Sequence, residues 1–246
     1  VAVLVNVICY GPMYNNVSSI LNAKKVELSK ETTEQSRKTI QKVGEEGMVL
    51  LKNKGILPLA SDTKKLNVFG WDSTNPLFGG TGSGSSDSST AISILQSLKD
   101  AGYETNESLT KMYTDYREDR PTIAMAEQDW TLPEPTKEYY TDSLMNEAKE
   151  FSDTAVIVLS RIGGEGTDLP TDFGAKDAEG NKIYTYNDNS SEYSDFEEGQ
   201  HYLELSQTEK NMIDIVCENF AHVIVICNSS NAMELGWVEN YDQIGS

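Results

Sequence analysis

Short apolar runs alternate with amphipathic stretches along most of this chain. Residues 66–70, 155–160 and 222–228 are nearly continuous apolar runs, and runs of this length predict strands. Because the runs lack polar alternation, both faces of each strand are expected to be covered. The pattern therefore predicts an α/β fold, in which a mostly parallel sheet carries helices on both faces (an α/β sandwich).

The amphipathic stretches between these runs predict the helices, because apolar residues recur in them at helical spacing. The clearest start signal is a capping box, with Ser206 and Glu209 in its two defining positions. Helices are predicted over residues 29–54, 88–102, 106–116, 142–151, 206–220 and 232–240.

Two loops follow predicted strands on the side where open α/β sheets bind ligands, beyond the carboxyl ends of the strands. Residues 71–89 form a loop rich in glycine and serine, and residues 161–172 form a loop that holds Glu165 between glycines. The candidate functional residues lie in these two loops.

The glycine-rich loop is open to several interpretations. Phosphate binding is disfavoured, because no Lys-Ser/Thr pair follows the last glycine and the dinucleotide spacing is absent. Composition alone favours a flexible surface loop. If the loop has a function, its glycines and hydroxyls suit a polyhydroxylated ligand, and its aromatic side chains offer apolar faces to a sugar ring. The candidate binding residues are then Trp71, Phe78, Gly80, Thr81, Gly82 and Ser83.

Glu165 is the candidate catalytic residue of the second loop. The neighbouring glycines permit unusual backbone angles and leave little bulk around its carboxyl. Glycoside hydrolysis needs a protonated carboxyl at the leaving oxygen and a second carboxylate near the anomeric carbon. Arg161 and Asp168 are close enough in sequence to tune or orient Glu165, and both are also candidate substrate-binding residues. Spacing alone favours an ordinary solvated glutamate, with Asp168 making a turn.

Composition disfavours several classes of function. The formal net charge of −19 makes nucleic acid a poor partner. Three scattered cysteines predict neither a disulfide framework nor a zinc site, and no cofactor motif occurs. Two histidines without a G-x-S-x-G elbow are a poor basis for Ser-His-Asp chemistry. The acidic stretch 172–199 lacks EF-hand spacing, so a solvated loop is predicted rather than a calcium site.

The first ten residues are almost wholly apolar and precede Gly11. Ten residues are too few to cross a bilayer, which needs about 20. Two interpretations are open, a core element or the last turns of a membrane anchor, and we predict the second. Residues 1–20 are thus expected to be the stub of an anchor and its stem, and residues 21–246 a sandwich domain truncated at its C-terminal end.

Four motifs occur in an order that resembles glycoside hydrolase family 3, which includes β-glucosidases and related exo-acting glycosidases. The resemblance is to the α/β-sandwich domain of that family and covers nearly everything from about residue 39 onward. The motifs are GEEGMVLLKNKGILPL (44–59), GGTGSG (79–84), SRIGGEGTD (160–168), and LELSQTEK with VIVICNSSNAMELGWVE (203–210 and 223–239).

The resemblance implies a role for each loop. Glu165 matches the general acid/base, Asp168 the carboxylate usual after it, and residues 80–83 the glycine-rich loop near the sugar. In that family a TIM-like barrel supplies the aspartate nucleophile, and this chain shows no barrel or nucleophile motif. The resemblance implies the acid/base-bearing domain of a retaining exo-acting β-glycosidase, inactive on its own. A non-catalytic carbohydrate-binding or interaction module remains the alternative, and a nucleotide-binding domain is disfavoured.

The resemblance also implies partners and a location. The chain resembles the rearranged subgroup in which the sandwich precedes the barrel, so the barrel of the same polypeptide is one expected partner. A β-linked oligosaccharide or glycoside is the other, and a homodimer stays open. The expected location is extracellular or at the cell surface, anchored by a helix upstream of Gly11; the alternative is cytoplasmic.

Overall fold

The chain divides into two compact units. The computed structural model describes residues 1–11, 14–21, 27–79, 88–118, 132–163, 165, 168–181, 183 and 196–246. Contacts within the chain define the units as Val1–Leu50 and Leu51–Ser246. The expected boundary after residue 20, between an anchor stub and the sandwich domain, stays a prediction.

The first unit is helical in its described residues. Its helices are α1 (Ala2–Tyr10), α2 (Tyr14–Leu21) and α3 (Lys30–Gly47). The Ser29 side chain caps α3 by accepting a hydrogen bond from the backbone N–H of Thr32. None of these helices contains a buried residue. Within the described residues, no helix has both the length and the apolar content that a membrane span requires.

The second unit is built on a parallel sheet. Its strands are β1 (Lys65–Phe69), β2 (Glu104–Thr105), β3 (Thr154–Arg161) and β4 (His222–Ser229). Their order across the sheet is β2-β1-β3-β4, and every neighbouring pair is parallel. Ala155 of β3 lies opposite both Asn67 of β1 and Val223 of β4. The parallel sheet expected from the apolar runs is confirmed.

Helices cover both faces of this sheet. They are α4 (Ile94–Asp100), α5 (Glu107–Tyr116), α6 (Asp142–Phe151) and α7 (Gln207–Asn219). Buried side chains of α5, α6 and α7 pack with Ile157 and Leu159 of β3 on one face. On the other face, side chains of α4 pack with Val156 and Val158 of β3. This arrangement confirms the α/β sandwich, and it hides every residue of β3 from solvent.

Three predicted helices differ from those observed. The helix expected over 29–54 ends at Gly47, because the backbone is already extended at Met48. The helix expected from residue 88 begins at Ile94, where the side chain of Ser93 caps it. Residues 232–240 contain only a short 3₁₀ helix, Gly236–Asn240.

Candidate functional site

The loops that follow β1, β3 and β4 meet at the carboxyl edge of the sheet. The Asn228 side chain of β4 donates a hydrogen bond to Asp72 Oδ2 in the loop after β1, at 2.9 Å. Gly163, in the loop after β3, packs so closely on Asn231 that an added Cβ would lie 2.6 Å from its amide nitrogen. These contacts join all three loops at one end of the sheet.

The loop after β1 begins at a glycine that no other residue can replace without strain. Gly70 has φ +94°, in the left-handed region, and an added Cβ would lie 2.1 Å from the carbonyl oxygen of Val158. The chain then makes a short 3₁₀ helix, Trp71–Ser73, whose three residues are all buried. The first turn of this loop is therefore part of the core.

Asp72 ties the loop after β1 to β4. It is fully buried, and its Oδ1 accepts the backbone N–H of Leu77 at 3.1 Å. Asn228 bonds to both, because its amide reaches Asp72 Oδ2 and the Leu77 carbonyl at 3.1 Å. Burial raises the pKa of Asp72 to about 6, although the hydrogen bond from Asn228 opposes this effect. The bond crosses over the end of β3, since β3 lies between β1 and β4.

A second buried carboxyl, that of Glu134, supports the same turn. Glu134 Oε2 accepts the Trp71 backbone N–H at 2.9 Å, and its Oε1 accepts the hydroxyls of Tyr113 and Tyr140. The Tyr113 hydroxyl also accepts the N–H of Gly70 at 2.7 Å. Burial raises the pKa of Glu134 to about 8, against the opposing effect of these hydrogen bonds. The Gly70–Trp71 backbone is thus held by a network with no exposed member.

Arg161, the last residue of β3, is completely buried. Its guanidinium forms a bidentate ion pair with Glu209, with N–O distances of 2.8 and 2.7 Å. It also donates to the carbonyls of Ser160 and Tyr202, each at 2.7 Å, and to that of Glu204. Burial lowers the pKa of Arg161, but the Glu209 charge and hydrogen bonds outweigh this and raise it above its usual value. The guanidinium therefore stays charged while it holds the strand end.

The two arms of the connection between β3 and α7 are joined close to the sheet. The N–H of Tyr202 donates to the Pro170 carbonyl at 3.3 Å, and the N–H of Phe173 donates to the Gln200 carbonyl. The rings of Phe173 and Phe196 pack edge to face, with centroids 4.6 Å apart. We call this junction, residues 170–174 with 196–202, the neck. It separates the segment that contains Glu165 from the rest of the connection.

The residues expected to form the site have different environments. Glu165 and Asp168 are exposed in the loop after β3, and Phe78 is 39% exposed. Trp71 and Arg161, expected to bind substrate, are interior side chains, 3% and 0% exposed. Gly80, Thr81, Gly82 and Ser83 lie outside the described residues.

Sequence reasoning missed the buried polar residues that hold these loops. Asp72 follows one apolar strand, and Asn228 lies at the end of another. This position could have identified both residues, since ligands bind at the strand ends of open α/β sheets. Glu134 gave no local signal. Among the described residues, no group of His, Cys, Asp and Glu is placed to hold a metal ion. The carboxyl edge thus presents the exposed carboxyls of Glu165 and Asp168 close to loops that buried side chains hold by hydrogen bonds.

Comparison with known proteins identifies relatives of this chain. Residues 48–244 match the family described as the glycosyl hydrolase family 3 C-terminal domain. Beta-glucosidase A from Butyrivibrio fibrisolvens is 30% identical over 217 residues, covering 82% of this chain and 23% of that protein. A beta-glucosidase from Ruminococcus albus is 28% identical over 203 residues, covering 81% and 18%.

Solved structures agree with these matches. Beta-glucosidase 3B from Thermotoga neapolitana in complex with α-D-glucose is similar with a TM-score of 0.62 and 28% identity. The match covers 85% of this chain and 26% of that one, so this chain spans about a quarter or less of the relatives' length. Sequence motifs, fold and matched range agree, and the chain belongs to the family of glycosyl hydrolase family 3 C-terminal domains.

Proposed function

We propose that this chain is the acid/base-bearing domain of a retaining, exo-acting β-glycosidase similar to the β-glucosidases. The observation that carries the proposal is the position of Glu165. It is exposed, and it lies just beyond the carboxyl end of β3, an inner strand of the sheet. That edge is where open α/β sheets bind their ligands, and the relatives that match the chain are named beta-glucosidases.

Glu165 would act twice in each catalytic cycle. As an acid it protonates the glycosidic oxygen while an aspartate attacks the anomeric carbon and forms a glycosyl-enzyme. As a base it then removes a proton from the water that attacks the anomeric carbon, which releases the sugar and frees the aspartate. The sandwich contributes only the first of these carboxyl groups. We propose that a barrel in the same polypeptide contributes the aspartate, placed after the sandwich as in the rearranged subgroup.

The fold is suited to a mechanism in which two domains each supply one carboxyl group. The Glu165 carboxyl must approach a substrate held on another domain. It therefore has to project from the sheet, while the strand end that carries its loop stays fixed. Glu165 is exposed, whereas Arg161, four positions earlier, is fully buried with every guanidinium nitrogen hydrogen-bonded. Asp168, also exposed, is the second carboxylate of the same loop.

The substitution Glu165→Ala in the full-length enzyme tests the proposal. We expect kcat/KM for an alkyl β-glucoside to fall 10²- to 10⁴-fold, the usual range for general acid catalysis. With an activated aryl glucoside, azide should restore turnover and yield a glycosyl azide of retained configuration, since azide needs no base. Glu198→Ala is the matched control, because Glu198 is an exposed carboxylate of the same connection. It should change neither rate by more than about 3-fold.

The 246-residue chain gives a second test. By itself it should not hydrolyse an aryl β-glucoside, because it supplies one of the two carboxyl groups that the reaction needs. Robust turnover by the chain would mean that the nucleophile is in the chain. Near-normal turnover in Glu165→Ala, with glucoside binding by the chain in calorimetry, would instead support a non-catalytic carbohydrate-binding module.

A further inference from the structure

We propose that Arg161 is the positioning residue for Glu165: with Glu209, it fixes both ends of the segment 162–169 that presents the acid/base carboxyl. The inference rests on the proposed function of Glu165. Both side chains of the ion pair are completely buried, so the pair cannot contact a substrate. Its role is to hold the backbone on either side of Glu165.

The near end of the segment is fixed directly. Arg161 ends β3, and the side chain returns to the interior, where Glu209 holds it in a two-point contact. Glu209 is itself fixed, because it is the third residue of α7 and its carboxylate accepts the N–H of Ser206 in the capping box. On the opposite side, the Ser229 hydroxyl of β4 reaches the Arg161 carbonyl at 3.4 Å. The backbone therefore leaves the sheet at one place and in one direction.

The far end of the segment is fixed through one intermediate residue. The carbonyl of Tyr202 accepts the Arg161 Nε–H at 2.7 Å, and the N–H of Tyr202 donates to the Pro170 carbonyl. The guanidinium carbon also lies 5.6 Å from the centroid of the Tyr202 ring. One backbone unit thus links Arg161 to the residue where the segment 162–169 ends. Both ends of the loop that holds Glu165 depend on the same guanidinium.

The geometry of arginine is needed for this role. A guanidinium presents five N–H donors in a rigid fork, and here they meet Glu209 and three backbone carbonyls. Lysine keeps the charge but has three donors around a single nitrogen, so it cannot bond to all of these acceptors. A displacement of about 1 Å at a reacting group can cost about 100-fold in rate. Arg161→Lys should therefore move Glu165 without removing it.

The experiment compares leaving groups in the full-length enzyme. Arg161→Lys and Glu209→Gln are assayed by kcat/KM on an alkyl β-glucoside, whose leaving group must be protonated, and on 2,4-dinitrophenyl β-glucoside, whose leaving group need not be. We expect a loss of about 10- to 100-fold on the alkyl glucoside and less than about 3-fold on the dinitrophenyl glucoside. Asn67→Ala is the control for lost stability, since Asn67 is a buried side chain that bonds to α6 rather than to either loop.

The outcomes separate the inference from the proposed function. Equal losses on both substrates in Arg161→Lys and Glu209→Gln, or no loss on either, would overturn the positioning role. The same comparison of substrates in Glu165→Ala tests the proposed function. If Glu165→Ala loses as much activity on the dinitrophenyl glucoside as on the alkyl glucoside, the acid/base assignment of Glu165 is wrong. Asn67→Ala should show no selectivity.

Hydrogen exchange provides a readout that does not depend on activity. In the 246-residue chain, Arg161→Lys should speed amide exchange of residues 162–163, 165 and 168–169, while exchange in β1 stays within about 2-fold of the wild type. Arg161→Lys is interpreted only if its near-ultraviolet circular dichroism spectrum matches that of the wild type. If it does not match, hydrogen exchange is measured on Glu209→Gln instead, because that variant keeps the three carbonyl acceptors of Arg161. A uniform increase across the second unit would show that the pair only stabilises the fold and would refute the inference.

Discussion

Replacing Glu134 by glutamine should stabilise the second unit at neutral and alkaline pH. Glu134 is fully buried under the turn after β1 and accepts hydrogen bonds from the Trp71 backbone and from Tyr113 and Tyr140. Glutamine has the same shape and can bond to the same partners. Its amide oxygen would accept from Trp71, and its amide nitrogen would donate to the tyrosine oxygens, which accept as well as donate. One tyrosine hydroxyl can then donate to the other, but the second loses its acceptor, at a cost that does not change with pH. The pH-dependent part of the difference is therefore the titration of Glu134.

The size of the effect follows from the pKa of Glu134, raised by burial from 4.5 to about 8. A carboxyl whose pKa is higher in the folded state favours folding only while it is protonated. That contribution is complete below pH 4.5 and declines as the pH rises towards 8, by about 1.4 kcal/mol per pH unit. The total loss in the wild type is about 5 kcal/mol, of which about 3 kcal/mol is reached at pH 7.

Urea unfolding of the chain and of Glu134→Gln, followed by tryptophan fluorescence between pH 4 and 9 at constant ionic strength, measures this difference. The free energy of unfolding of the variant minus that of the wild type should rise by about 5 kcal/mol over this pH range. The titration of the buried Asp72 cancels in this difference, because both proteins contain it. Glu138→Gln removes an exposed neighbour whose pKa is lowered by a hydrogen bond from the Thr136 side chain, so it should alter the profile only at its acidic end. Parallel profiles for Glu134→Gln and the wild type would refute the reasoning.

Three further predictions concern other features of the chain. Gly70→Ala should cost at least 3 kcal/mol and lower the melting temperature far more than Gly180→Ala, since both glycines have positive φ but only Gly70 lacks room for a Cβ; equal losses would contradict this. Asn228→Ala should lower the free energy of unfolding in urea by about 1–3 kcal/mol at pH 7, because it leaves the buried Asp72 carboxylate with one donor fewer. An unchanged unfolding midpoint would mean that the hydrogen bond between Asn228 and Asp72 does not stabilise the fold. Helix α1, which is apolar and exposed, should bind lipid vesicles in a flotation assay, and Leu4→Asp should weaken that binding about 10-fold or more; equal flotation of both proteins would remove the basis for an anchor.

The sequence predicted features of the fold that depend on local pattern. The strand and helix signals around β3, α6 and α7 are contained within short windows, and the capping box at Ser206 and Glu209 formed as expected. Glu165 was proposed as the catalytic residue from an equally local pattern, the glycines next to it in sequence, and that role stays a prediction. Short-range signals of this kind do not depend on what the rest of the chain does.

The supporting network of the site could not be predicted in the same way. Asp72 and Asn228 are 156 positions apart, and Arg161 and Glu209 are 48 apart, so neither pair is visible before the sheet brings its members together. Arg161 was expected to act on a ligand or on Glu165 from the loop, because its burial cannot be read from one sequence. The helix over 29–54 was predicted too long, since periodicity continued past Gly47 although the backbone did not.

The neck brings together two parts of the long connection after β3 that are more than 20 residues apart in sequence, 170–174 and 196–202. At the junction an added Cβ on Gly174 would lie 2.0 Å from the Glu197 carbonyl, so the crossing backbones leave no space for change there. Between these two parts, the sequence runs through most of the acidic stretch 172–199. A side chain introduced at position 174 would have to push apart the two backbones of the neck, and with them the Tyr202–Pro170 hydrogen bond that borders the segment 162–169.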